Sequence, residues 1–121
     1  EAAVVDTGTP NNASKIADVV RTAGLGWEAV HHVILTHYHP DHIGSVGEVL
    51  AAAPKATTYA GAADIAQIKS PRPIKAVSDN DEVFGLRVID GSIMPDSIRA
   101  NTHATILAMA ELMAARIIAG G

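Results

Sequence analysis

Val33-Ile34-Leu35-Thr36-His37-Tyr38-His39-Pro40-Asp41-His42-Ile43-Gly44 is the stretch whose reading decides the fold. Val33 to Thr36 is apolar or β-branched, the pattern of a buried strand. His37 and His39 are two residues apart, so in extended chain both side chains leave on one side. Pro40 lacks an amide hydrogen and is expected to stop the strand. Asp41 and His42 then fall on the turn into a helix, at the carboxyl end of the strand, where open α/β sheets place their sites. Neutral imidazole suits zinc, and a carboxylate oxygen completes its coordination sphere. A lone histidine is usually a solvated or packed residue. Three histidines and an aspartate within six positions after a strand point instead to a metal site, with His37, His39, Asp41 and His42 as ligands.

The run Thr36 to Gly44 resembles the His-x-His-x-Asp-His signature of the metallo-β-lactamase superfamily. Val4-Val5-Asp6-Thr7-Gly8 is similar to that family's early strand and its Asp-Thr-Gly turn. The resemblance implies an α/β fold, part of an αββα sandwich. It implies His37 and His39 in a first metal site, and Asp41 and His42 in a second. One or two zinc ions are the implied cofactor, with iron or manganese as alternatives. The implied reaction is hydrolysis of a small-molecule ester, lactone, thioester, β-lactam or phosphodiester by a metal-bound hydroxide. Asp41 would bind metal and take or orient the proton of the attacking water. Asp6 reads either as a turn cap or, by resemblance, as a carboxylate bracing the metal loop.

The resemblance fades after Ile89. Family members follow that strand with a histidine-bearing turn, but here Asp90-Gly91-Ser92 follows. Asp90 is the candidate for the acid that bridges the two metals, if a segment has dropped out before it. His103 sits at a helix start and matches neither missing ligand. The expectation is therefore one domain over residues 1–121, lacking an amino-terminal hairpin, a segment near 89–92 and a carboxyl-terminal tail. A minimal or degraded domain is the rival. It would be a catalytically inactive scaffold, or a homo-oligomer paired through its exposed sheet edges.

Composition sets outer bounds. A chain of 121 residues suits one domain. It is 48% hydrophobic with 3% aromatics, so the core must be built from Ala, Val, Ile and Leu. A net charge of −4 without a basic block argues against nucleic acid and anionic membranes. With no cysteine, thiolate metal sites and disulfides are excluded. No apolar run approaches the roughly 18 residues of a membrane span. No signal peptide is visible, which favours the cytoplasm.

Along the chain, Ala2 to Val5 reads as a strand, followed by a helix capped by Asn12 or Ser14. That helix carries Ile16, Val19, Val20 and Ala23 inward, and Gly24 ends it. Trp27 reads as a packing anchor, and His31 and His32 as surface or interface residues ahead of the metal strand. Ile43 to Ala53 reads as one helix with Val46, Val49, Leu50 and Ala53 facing the core. Ala56 to Ala60 is the next strand, and Gly61 to Ile68 a short helix. Ser70 to Pro73 reads as a solvated loop in which Arg72 and Ile74 are weaker candidates for substrate contact. A turn at Asp79-Asn80-Asp81 leads to a strand from Val83 to Ile89. The last readings are a helix from His103 to Ala115 and a terminal strand from Arg116 to Ala119.

Overall fold

Residues 1–88 are described by a computed structural model. The readings placed on Asp90, on the helix from His103 and on the strand from Arg116 lie outside those residues.

Four strands form a parallel sheet in chain order: β1 (Ala2–Val5), β2 (Val30–Leu35), β3 (Thr57–Gly61) and β4 (Ile74–Val77). The ladders pair Val4 with Val33, Val33 with Thr58, and Thr58 with Ile74. Each crossover steps one strand in the same direction, so right-handed connections place the helical segments on one face of the sheet. Those segments are α1 (Ala13–Thr22), α2 (Pro40–Ile43) and α3 (Val46–Ala52). Val4, Val33, Leu35 and Ala60 from the strands bury against Val46, Val49, Leu50 and Ala53, as the apolar spacing of α3 predicts. Ile16, Val20 and Trp27 pack at the rim of this cluster. A separate two-stranded hairpin joins β5 (Glu82–Val83) to β6 (Leu86–Arg87). The architecture is α/β and layered, as the sequence implies.

Several expectations are corrected. His31 and His32 do not precede the strand but lie inside it, since β2 starts at Val30. Two polar residues broke the apolar run that marks a buried strand. His31 Nδ1 stands 2.7 Å from Glu1 Oε1, and this hydrogen bond holds the Glu1 carboxyl below the usual carboxylate range. His32 packs on the rings of Tyr59 and Phe84. Val19 is 70% exposed rather than core-facing. It lines an open cleft beside β1, an edge of the sheet that no further strand among the described residues covers. Ile43 to Ala53 is two helices, broken at Gly44-Ser45. The short helix after β3 is a single 3-10 turn, Ile65–Gln67. The strand expected from Val83 to Ile89 folds back at Phe84-Gly85. Both residues have positive φ, 54° and 72°, the signature of a type I′ hairpin turn. Strand β4 went unread in sequence because it is only four residues long and Lys75 interrupts its apolar run.

Arg72 is also reassigned. Its guanidinium donates to the carbonyls of Leu50 and Ala53 at 2.7 and 2.9 Å, and to that of Pro54 at 2.7 Å. The Leu50 carbonyl is one that the last turn of α3 leaves without an intrahelical partner, and those of Ala53 and Pro54 follow directly after it. The side chain is therefore engaged as a cap on the end of α3. Replacing Arg72 by alanine is expected to lower stability by about 2 kcal/mol, the cost of charged hydrogen bonds lost at a half-buried helix end. Urea unfolding checks this through a lower midpoint with an unchanged slope.

Candidate metal centre

The site begins where β1 and β2 end. Asp6 continues the ladder by one bond, its amide donating to the Ile34 carbonyl at 2.8 Å. It then turns into the left-handed region at φ 57°, a conformation that aspartate tolerates. The turn points its carboxylate across to β2. Oδ1 accepts the Thr36 amide at 2.8 Å, and Oδ2 accepts the Thr36 hydroxyl at 2.7 Å. His42 Nδ1 also lies 2.7 Å from Oδ2. A carboxylate only accepts, so in the neutral ring the Nδ1 of His42 carries the proton. The Thr36 hydroxyl spends its proton on Asp6, which leaves its lone pairs for the Nδ1–H of His37 at 3.0 Å. Both rings are thereby fixed in one tautomer, with Nε2 as the free lone pair. A histidine ligand that donates its other nitrogen to a carboxylate is the usual arrangement around protein-bound metals.

The rest of the Asp-Thr-Gly turn fastens the far side of the loop. Thr7 is fully buried, and its amide and hydroxyl both donate to the His42 carbonyl, at 2.7 and 3.1 Å. The Gly44 amide donates to the Gly8 carbonyl at 2.8 Å. A Cβ on Gly44 would stand 2.5 Å from the Pro10 nitrogen and 2.6 Å from the Pro40 carbonyl oxygen, so only glycine fits between these backbones. Buried Ser45 completes the stitching, accepting the Asn12 amide at 2.8 Å and donating to the Thr9 carbonyl at 2.7 Å.

The motif residues fall as follows. Strand β2 ends at Leu35, before the motif, so Pro40 does not stop it. Pro40 instead opens α2 as its first residue, where a missing amide hydrogen costs nothing. His39 is the residue before that helix, and its carbonyl accepts the amides of His42 and Ile43. Asp41 and His42 lie in the helix, not on a loop. The rings of His37 and His39 meet edge to face with centroids 4.7 Å apart, and those of His37 and His42 lie 3.9 Å apart. Asp41 is largely exposed, with Oδ2 3.6 Å from His42 Nε2. Among the described residues, no three of these donors converge closely enough to hold an ion. The donor chemistry fits a zinc ion; the donors are gathered but not closed around one point. Thr7 and Thr36 went unread in sequence as members of this site. Both lie inside the quoted motifs, but a threonine carries no ligand signal of its own.

Comparison with known proteins follows from this geometry. The family description "Metallo-beta-lactamase superfamily" matches residues 1–109. A hydroxyacylglutathione hydrolase of Parasynechococcus marenigrum is 36% identical over 106 residues, covering 88% of this chain and 38% of the relative. Another protein of that name, from Prochlorococcus marinus, is 32% identical over 83 residues, covering 69% and 30%. Among solved structures, metallo-β-lactamase SMB-1 superposes with a TM-score of 0.61 at 25% identity, over 67% of this chain and 37% of that one. The subclass B3 enzyme MEM-A1, from a soil metagenome library, gives 0.60 at 25% identity over the same shares. The chain thus spans less than two fifths of the length of these relatives.

The hydrogen bonds make a prediction that needs no metal. In the metal-free chain at about pH 8, above the ordinary histidine range, long-range 1H–15N spectra should show His37 and His42 protonated at Nδ1. Asp6→Asn keeps the left-handed turn but puts an NH2 group beside His42, and the His42 proton should move to Nε2. With the family model matching residues 1–109, and with the motif standing at the end of a parallel strand, the chain belongs to the metallo-β-lactamase superfamily.

Proposed function

We propose that this chain carries the metal-binding half of a zinc-dependent hydrolase acting on thioesters of small acids. The observation that supports it best is the Asp6–His42–Thr36–His37 network. It spends the Nδ1 of two adjacent imidazoles on the protein and leaves both Nε2 atoms for an ion. The substrate class rests on the two relatives named hydroxyacylglutathione hydrolase.

In this reading His37, His39 and His42 hold the ion, and Asp41 contributes an oxygen. A zinc ion there supplies a polarised carbonyl and a water whose pKa is lowered to about 7. The protein's own residues do the remainder. Asp41, on the first turn of α2 and open to solvent, receives the proton of the attacking water. Asp6 and Thr36 keep the imidazoles in the required tautomer. Thr7 and Gly44 hold the helix carrying Asp41 against the turn after β1. Asp90 is retained as a proposed further ligand.

A second reading has one observation in its favour. The described donors do not close around a point, which suits a scaffold that binds metal weakly or not at all. Metal analysis and thioester assays separate the two. The hydrolase reading expects about one zinc per chain, turnover of an acyl-glutathione thioester, and a rate about a hundredfold lower in Asp41→Asn at similar zinc content. A chain purified with added zinc that holds none and hydrolyses nothing establishes the scaffold.

A further inference from the structure

We propose that Asp64 is a positioning residue for the His37/His39 pair, acting through the backbone between them; this rests on the metal-site reading above. Asp64 lies in the turn after β3, directly before the 3-10 turn Ile65–Gln67. Its own backbone is already occupied: its amide donates to the Gly61 carbonyl at 3.0 Å, and its carbonyl accepts the Gln67 amide at 2.9 Å. The side chain has a conventional use close by, capping the turn it precedes, and makes no such bond. It reaches instead across the top of the sheet, where Oδ1 accepts the Tyr38 amide at 3.1 Å. Room for this is tight. A Cβ on Gly61 would stand 3.3 Å from Asp64 Oδ2.

The placement matters because the ladder has run out. Strand β2 pairs with β3 only as far as Leu35 and Ala60. Beyond that the backbone bearing His37 and His39 has no strand among the described residues to hold it. The Thr36 amide goes to Asp6, and the Tyr38 amide goes to Asp64. Two carboxylates from opposite sides of β2 therefore hold the amides on either side of His37. Asp6 also touches an imidazole, whereas Asp64 touches only the backbone. It sets where the loop lies, not the chemistry of a ring. Tyr38, which is 44% exposed, is carried with it, its ring against that of His39 at 5.0 Å.

The test titrates the 121-residue chain with Co2+ and follows the visible d–d bands, whose intensity reports coordination geometry. Asp64→Ala removes the acceptor; Asp64→Asn keeps an oxygen in its place. The proposal expects Asp64→Ala to bind Co2+ about tenfold more weakly, with weakened or altered bands, and Asp64→Asn to lie within about twofold of the parent. Equal affinity and spectra in the parent and Asp64→Ala overturn it and leave the metal reading intact. Equal losses in both variants also overturn it, since an amide oxygen would have sufficed. A parent chain that binds no Co2+ removes the metal reading, and this proposal falls with it.

Discussion

The carboxylate of Asp6 is the constraint on which the rest of the site depends. Two strands end side by side, and the chain must turn away from both without losing the position of His37 and His42. One side chain in a left-handed turn does this by accepting a backbone amide, a hydroxyl and an imidazole N–H together. Each of these bonds is charge-assisted, and such bonds are about twice as strong as neutral ones. The carboxylate is partly shielded, with 20% of its side chain exposed, so the network is less screened than a surface pair. A group that orders two imidazoles in advance removes part of the cost of ordering them for any ion they would bind.

The sheet explains why such a brace is needed and possible. Parallel strands cannot be joined by tight turns, so their carboxyl ends open into crossover connections. Here β1, β2 and β3 each deliver a loop to the same edge, and each loop contributes something. The first gives Asp6 and Thr7, the second gives the histidines, and the third gives Asp64. The core beneath is aliphatic and small, built on Val33, Leu35, Val49 and Ala60. Rigidity at the site therefore comes from hydrogen bonds between loops as much as from packing.

Much of this was legible in the sequence. Periodicity marked the core face of α3, and Gly24 marked the end of α1, where its φ of 73° and the Leu25-to-Val20 bond close the helix. The motif was legible as a candidate metal site because three imidazoles and a carboxylate so close together have few other uses. What was not legible has common causes. Strand β2 was read three residues short at its start, because His31 and His32 interrupt its apolar pattern, and one residue long at its end, where Thr36 leaves the ladder. The helix after the motif was read as continuous because Gly44 permits helix, and it does keep a helical backbone; the break comes at Ser45, at φ −105° and ψ 16°, whose side chain is bonded to the loop after β1. Arg72 was read as a loop residue because its partners lie about twenty positions earlier in the chain. Asp64 was invisible for the same reason: its partner is an amide, and amides carry no sequence signal.

Zinc K-edge X-ray absorption on the chain loaded with one equivalent of zinc tests the central claim most directly. The account predicts at least two imidazoles in the coordination shell, with Zn–N distances of about 2.0–2.1 Å, and their loss or reduction in Asp6→Ala. A parent spectrum of fully hydrated zinc, without imidazole scattering, would contradict it.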